Sequence, residues 1–178
     1  MRRGRHAAQA GFTIVELLFV CALVAVLATI ALPSFFGESK KTKAMAEVQP
    51  MFSDMRQRME QYIQEYGTYP ANIGEATLFP AAPTNKLQSL GSQPSTWTAV
   101  NFRFTGPTEV YCGYTWSSGN ANDGTNIGPE AAAFGFTAPN ASWYYLLAHC
   151  NLDNDSTVDS FYFTSSVDPT ILKRNEGH

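Results

Sequence analysis

Three residues near the start of the chain have the types and spacing of a cleavage and pairing site: Gly11, Phe12 and Glu16. A glycine has no Cβ, so the backbone around it can lie close in a protease groove, and Gly11–Phe12 is a candidate scissile bond. Cleavage there would free an amine on Phe12. Glu16 follows four residues later, one helical turn on, so both side chains share a face. Beyond it, from Leu17 to Leu32, no residue is charged and only Thr29 carries a polar side chain. A carboxylate at the head of such a run is costly in hydrocarbon unless it finds a positive partner, and residues of this kind are functional by default.

A second constellation lies near the C-terminus. Asn151, Asp153, Asp155, Thr157 and Asp159 place oxygen side chains at alternate positions, as in the first half of a calcium loop. Asp153, Asp155 and Asp159 are therefore candidate calcium ligands. The turn glycine is missing, since Ser156 stands there, and Tyr162 occupies the position of the closing glutamate. A polar turn between two strands is the competing reading, because Asn and Asp suit turns without any metal. His149 stands beside Cys150, but no C-x-x-C or H-x-x-H spacing makes a zinc site of them. No nucleophile elbow, P-loop or dinucleotide fingerprint occurs, which points away from an enzyme.

The elements that must position these groups follow from length and composition. The chain has 178 residues, of which 44% are hydrophobic, 13% aromatic and only 15% charged. The length suits one domain, and the aromatic content excludes a disordered chain. Arg2, Arg3 and Arg5 give the first eleven residues a charge of +3, and without them nine basic residues face fifteen acidic ones, a net of −6. That acidity disfavours binding to nucleic acid through an overall basic surface. Residues 12–33 as a helix would span about 33 Å, enough for one bilayer crossing, and arginines before the span would keep the N-terminus in the cytoplasm. Three readings compete for this segment. It could be a signal peptide cleaved near Ala28, a plain signal anchor, or a device that uses Gly11, Phe12, Thr13 and Glu16 together. The run is long for the first, and the second leaves Glu16 without a purpose.

The third reading coincides with a family. Gly11-Phe12-Thr13-Ile14-Val15-Glu16, the basic leader before it, the apolar run behind it and Pro33 resemble the type IV pilins, a family that includes the pseudopilins of type II secretion. The resemblance covers about residues 4–36. It implies that a membrane-embedded prepilin peptidase removes residues 1–11, that Phe12 is then N-methylated, and that Glu16 pairs with the Phe12 amine of a neighbouring subunit during assembly. It further implies that Thr13 and Pro33 belong to the assembly segment, the helix melting near Pro33 in the filament. It also implies an inner-membrane assembly platform and cytoplasmic ATPases as partners. The subunit would sit in the bacterial inner membrane, its C-terminal domain periplasmic, until it enters a surface filament of pilin subunits.

After the apolar run, Val48, Met51, Phe52, Met55, Met59, Tyr62, Ile63 and Tyr66 recur at spacings of three and four, the stripe of an amphipathic helix. Gly37, Pro33 and Pro50 are weak points in it. Gly67 is a natural C-cap and Pro70 a stop. Residues 67–98 read as a connecting loop with room for a short helix. Strands are expected over 99–105, 110–116, 131–137, 143–150 and 158–164. The expected fold is α+β and pilin-like: a leader over 1–11, a transmembrane and polymerisation helix over 12–36, and a globular domain over 37–178 with its antiparallel sheet from 99 onward. Cys112 and Cys150 fall on strands in an oxidising compartment, and a bridge between them, the counterpart of the C-terminal disulfide of pilins, would be worth roughly 4 kcal/mol. Two separate thiols are the alternative. Cys21 reads as a small apolar residue of the span. Asn140-Ala141-Ser142 and Asn154-Asp155-Ser156 match a glycosylation pattern.

The resulting expectation is a structural subunit of a type IV pilus serving motility, adhesion or DNA uptake. The rivals are a pseudopilin, a minor pilin that primes assembly or sits at the tip, and a membrane-anchored adhesion domain that never polymerises. The mature protein is expected to begin at Phe12 and to carry an N-methyl group, and Gly11→Val is expected to leave full-length precursor in the membrane. Mass spectrometry of the N-terminus checks both. A mature chain starting at Met1 or near Ala28 would exclude the pilin-type device.

Overall fold

A computed structural model describes residues 12–100, 108–155 and 157–177, with the backbone alone for 31–37. Helix α1 runs Ile14–Tyr66. The chain divides into two compact units, Met1–Gly37 and Glu38–His178. In the second unit the apolar residues of α1 recur at three and four, and Ala44, Val48, Met51, Phe52, Met55 and Met59 are all buried. Burial of that stripe also keeps Pro50 inside the helix, against the roughly 3 kcal/mol that an interior proline costs. Tyr66, expected on the stripe, is 59% exposed. It lies beyond the reach of the core and packs on Tyr62, with ring centroids 4.4 Å apart. Gly67 ends the helix at φ +75°, and its N–H donates to the Ile63 carbonyl at 2.8 Å. Glycine adopts that left-handed conformation without a Cβ penalty.

The remaining elements are β1 (Gln88–Ser89), α2 (Ser95–Ala99), β2 (Glu109–Val110), β3 (Gly113–Gly119), α3 (Pro129–Ala133), β4 (Trp143–Cys150), β5 (Ser160–Ser165) and β6 (Leu172–Arg174). Strands β3-β4-β5-β6 form one antiparallel sheet in that order, while β1 and β2 pair separately. The structure thus has a long helix packed on a C-terminal antiparallel sheet, an α+β arrangement of the pilin type. Side chains alternate across a strand, and both faces of this sheet are covered. Tyr114, Trp116, Tyr144, Leu146, Ala148 and Tyr162 join the stripe of α1 in one core. Trp143, Tyr145, Leu147 and Phe163 form a second core with Ala131, Phe134 and Phe136. This explains why the β4 sequence WYYLLAHC is apolar without alternation.

One expected strand is not a strand, and another lies mostly outside the described residues. Residues 131–137 form α3 and its exit. Pro129 stands at the first turn, and the carboxylate of Glu75 accepts the N–H groups of Glu130 and Ala131, each at 2.8 Å. Gly135 follows at φ +79°, and bonds from Gly135 N to Ala132 O and from Phe136 N to Ala131 O close the helix end. A proline just inside and a glycine just past the end was the available signal. In the segment 99–105, Ala99 ends α2, whose Trp97 is fully buried between Phe79 and Trp116, and 101–107 lie outside the described residues. The segment 110–116 is broken into β2 and β3 at Tyr111 and Cys112. Strands β1 and β6 were not expected; both are too short, at two and three residues, to show a period.

The break between β2 and β3 has a cause in α1. Glu47 is buried, and its carboxylate accepts the N–H of Tyr111 at 2.7 Å, the N–H of Cys112 at 2.9 Å and the hydroxyl of Tyr114 at 2.7 Å. These donors serve the helix instead of a strand ladder. Cys112 is bonded to Cys150. The register that sets Gly113 opposite His149 carries the two cysteines to facing positions, and Cys21 is free and exposed. Burial pushes the Glu47 carboxyl up from its ordinary value, against the pull of its three donors.

Two outcomes are expected for unfolding of the unit Glu38–His178. Cys150→Ser is expected to lower its stability by about 4 kcal/mol in thermal or denaturant melts. Glu47→Gln, which offers an amide donor to three donors, is expected to cost roughly 1–3 kcal/mol. A carboxyl raised by folding binds protons more readily in the folded state. The Glu47 contribution is therefore fully present below the ordinary carboxylate range and is lost as pH rises through the raised value. Denaturant titrations from pH 4 to 7 check this, the wild type losing stability with rising pH where Glu47→Gln does not.

Candidate processing and assembly site

The start of α1 is built by Thr13 and Glu16. The first N–H groups of any helix lack intrahelical acceptors. Here the Glu16 carboxylate turns back, and its Oε2 accepts the backbone N–H of Thr13 at 3.0 Å and the Thr13 hydroxyl at 2.8 Å. The Thr13 Oγ1 in turn accepts the backbone N–H of Glu16 at 3.2 Å. This is a reciprocal capping box, Thr at the N-cap and Glu three residues on. The first α-helical bond, from Leu17 N to Thr13 O at 3.2 Å, follows directly. The spacing T-x-x-E is the local sequence signal of this cap.

Phe12 stands just outside the helix and is 87% exposed. Gly11 and the rest of the leader lie outside the described residues. Along the first unit, Ile14, Val15, Leu17, Leu18, Phe19, Val20, Leu23, Val24, Val26, Leu27 and Ile30 are all at least half exposed. Their positions cover every side of the helix. Thr29 satisfies its hydroxyl internally by donating to the Val26 carbonyl at 2.7 Å, which suits an apolar surrounding. Pro33 lies within α1, its side chain among those not described. Among the described residues no helix is long and apolar enough to cross a membrane. The described apolar run, residues 14–30, measures about 25 Å against a hydrocarbon core of about 30 Å, and residues 31–33, which the sequence adds to the span, fall in the stretch without described side chains.

The second constellation is a turn. The Asp153 carboxylate accepts the N–H of Asp155 at 3.1 Å, and the Asp155 carboxylate accepts the N–H and hydroxyl of Thr157 at 2.9 and 2.7 Å. Asp159 points elsewhere and meets His149 Nε2 at 2.7 Å. Among the described residues no group of three or more His, Cys, Asp or Glu side chains could hold a metal ion. In the structure Asp153 and Asp155 accept turn N–H groups, and Asp159 meets one histidine. Asn154 adopts φ +59°, a conformation Asn tolerates better than most residues.

Sequence reasoning missed a row on the outer sheet face. His149, Phe161 and Arg174 are successive cross-strand partners on β4, β5 and β6. The His149 ring stacks on Phe161 at 4.6 Å, and the Arg174 guanidinium lies 4.7 Å from the same ring. Asp159 pairs with the histidine end and Glu130 with the arginine end. Strand register sets His149, Phe161 and Arg174 in a row and α3 brings Glu130 to its end, so no local spacing could have shown the cluster.

Residues 6–32 match the family model of the prokaryotic N-terminal methylation motif. That motif is the type IV pilin and pseudopilin signal, and it spans the leader glycine, Phe12, Thr13, Glu16 and the apolar run. No solved structure matches the chain.

Proposed function

We propose that this chain, which carries the type IV pilin and pseudopilin signal, is a structural subunit of a type IV pilus. The observation that supports the reading best is the pairing of Glu16 with an α1 surface left apolar on all sides. Phe12 at 87%, Ile14 at 78% and Ile30 at 72% exposure mark its two ends. Such a surface needs lipid before assembly and other copies of itself afterwards. A contact between different faces of successive subunits does not close into a ring and builds a filament.

The steps follow from the chain's own groups. Arg2, Arg3 and Arg5 hold the N-terminus on the cytoplasmic side while the apolar helix inserts. A prepilin peptidase cuts the Gly11–Phe12 bond and the Phe12 amine is methylated. A free α-amine is largely protonated at neutral pH, its ordinary pKa being about 8. Within one helix that amine sits at the frayed end, so the carboxylate of one subunit and the amine of the next make the better pair. Such a buried pair fixes register more than it adds stability. The unit Glu38–His178, carrying the two cores and the disulfide, forms the outer surface of the filament. An assembly platform and cytoplasmic ATPases complete the machinery.

Glu16→Ala is expected to leave insertion and the globular unit intact and to reduce fibre yield at least tenfold. Glu16→Gln is expected to fail similarly, since it keeps hydrogen bonding but not charge. The measurement is sheared-fibre protein against the membrane pool. Normal fibres from Glu16→Ala would leave an anchored domain that does not depend on the pair. Absence of wild-type fibres, together with loss of secreted enzymes on deletion, would place the chain among the pseudopilins.

A further inference from the structure

We infer that the cleft where residues 68–72 meet the end of β3 binds a single neutral sugar ring, held by the side-chain amides of Asn72 and Asn126. The cleft encloses about 190 Å³, and none of the residues lining it is charged. The clefts lined by Asp168, by Glu75 and Glu130, and by Lys41 and Lys173 all carry charge. Each amide is fixed at one end by a partner that settles its orientation. The Asn72 Oδ1 accepts the N–H of Gly74 at 2.8 Å. A backbone N–H can only donate, so Nδ2 is the end left over. The Asn126 Nδ2 donates to the Ser118 carbonyl at 2.8 Å. A carbonyl can only accept, so here Oδ1 is left over. Ser117 Oγ links the two residues, 2.8 Å from Asn72 Oδ1 and 2.6 Å from the Asn126 carbonyl. Among the described residues neither leftover end has a hydrogen-bond partner.

A fixed donor and a fixed acceptor without charge select the chemistry of the ligand. A hydroxyl both donates and accepts, so a ring of hydroxyls satisfies either end, whereas a carboxylate, phosphate or ammonium would meet no counter-charge. Both amides are ordered before the ligand arrives, which lowers the cost of binding. Tyr69, half-buried and packed edge-on against Tyr144 with ring centroids 4.8 Å apart, lines the same cleft and supplies an apolar wall for the C–H face of a sugar. The volume lies below the roughly 300 Å³ at which pockets for drug-sized ligands begin, so one ring fits and a longer chain would leave over the rim. A peptide strand would need the outer side of β3, which segment 70–74 occupies. The side chains of Thr115, Trp116 and Ser118 donate there to the carbonyls of Gly74, Ala71 and Pro70.

The test uses the full chain in a detergent without a sugar head group. The probes are methyl β-glucoside, methyl β-galactoside and methyl α-mannoside, with glucuronate and glycerol for comparison, and the side-chain amide signals of Asn72 and Asn126 are followed by NMR. At least one methyl glycoside is expected to shift both signals saturably, with a dissociation constant of about 1–10 mM. Glucuronate and glycerol are expected to bind about tenfold more weakly or worse. Asn72→Ser keeps an acceptor for the Gly74 N–H and removes the amine, and is expected to weaken binding about tenfold. Ser142 is exposed at the same cleft and its hydroxyl has no hydrogen-bond partner among the described residues. Ser142→Phe is therefore expected to fill the cleft and abolish binding while leaving the melting temperature unchanged. No saturable shift at either signal with any of the three glycosides up to about 100 mM would overturn the inference. An equal response to glycerol would overturn it too, as would binding unchanged in both variants. None of these outcomes depends on fibre yield, so the assembly reading stands or falls separately.

Discussion

A buried carboxylate must find donors, and the globular unit is organised around how Glu47 finds three. Its oxygens take the N–H groups of Tyr111 and Cys112 and the hydroxyl of Tyr114. That choice sets where β2 ends and β3 begins. It pins the first residues of the sheet to α1 one turn before the buried residues Met51 and Phe52. It also holds Cys112 where strand register delivers Cys150, so hydrogen bonds and a covalent bond meet at one corner of the fold. The helix is thereby joined to the sheet by directional contacts as well as by apolar burial, which alone would allow sliding.

From that corner the sheet extends outward, and its character is set by β4. Every residue from Trp143 to Ala148 is buried, alternately in the core against α1 and in the core under residues 127–138. A strand with apolar side chains on both faces needs two covers. The second cover is held by another carboxylate, Glu75, which accepts from Glu130 N, Ala131 N and the Tyr145 hydroxyl. Two glutamates thus do comparable work on opposite faces. Each replaces a missing backbone partner and each ties a distant segment to the sheet.

The N-terminal unit follows the opposite rule. Its apolar residues are exposed and its one carboxylate is turned onto its own helix start. The contrast separates two tasks within one chain. The globular unit buries its apolar residues in its own two cores, and the described apolar residues of the first unit stay exposed. The methylation motif falls wholly within that first unit.

How much of this was legible depends on how local the signal was. The N-terminal methylation motif, the helix stripe through Met59, the stop at Gly67 and the whole of β4 are written in residues close together in the chain. Charge runs, 3.6-residue periods and single glycines act over one or two turns, so sequence alone determined them. What only tertiary structure decided is where distant groups meet. Glu47 and Tyr111 are 64 residues apart, and Glu75 and Glu130 are 55 apart. Residues 131–137 became the end of α3 and its exit because Pro129, Gly135 and a remote carboxylate agreed on a helix there, overriding an apolar run that resembles a strand. Asp159 turned to His149 and left the other aspartates to their turns, because strand register placed an imidazole within reach. A polar side chain takes the partner that folding brings nearest, and that partner is set by register and burial, neither of which is visible in spacing along the chain.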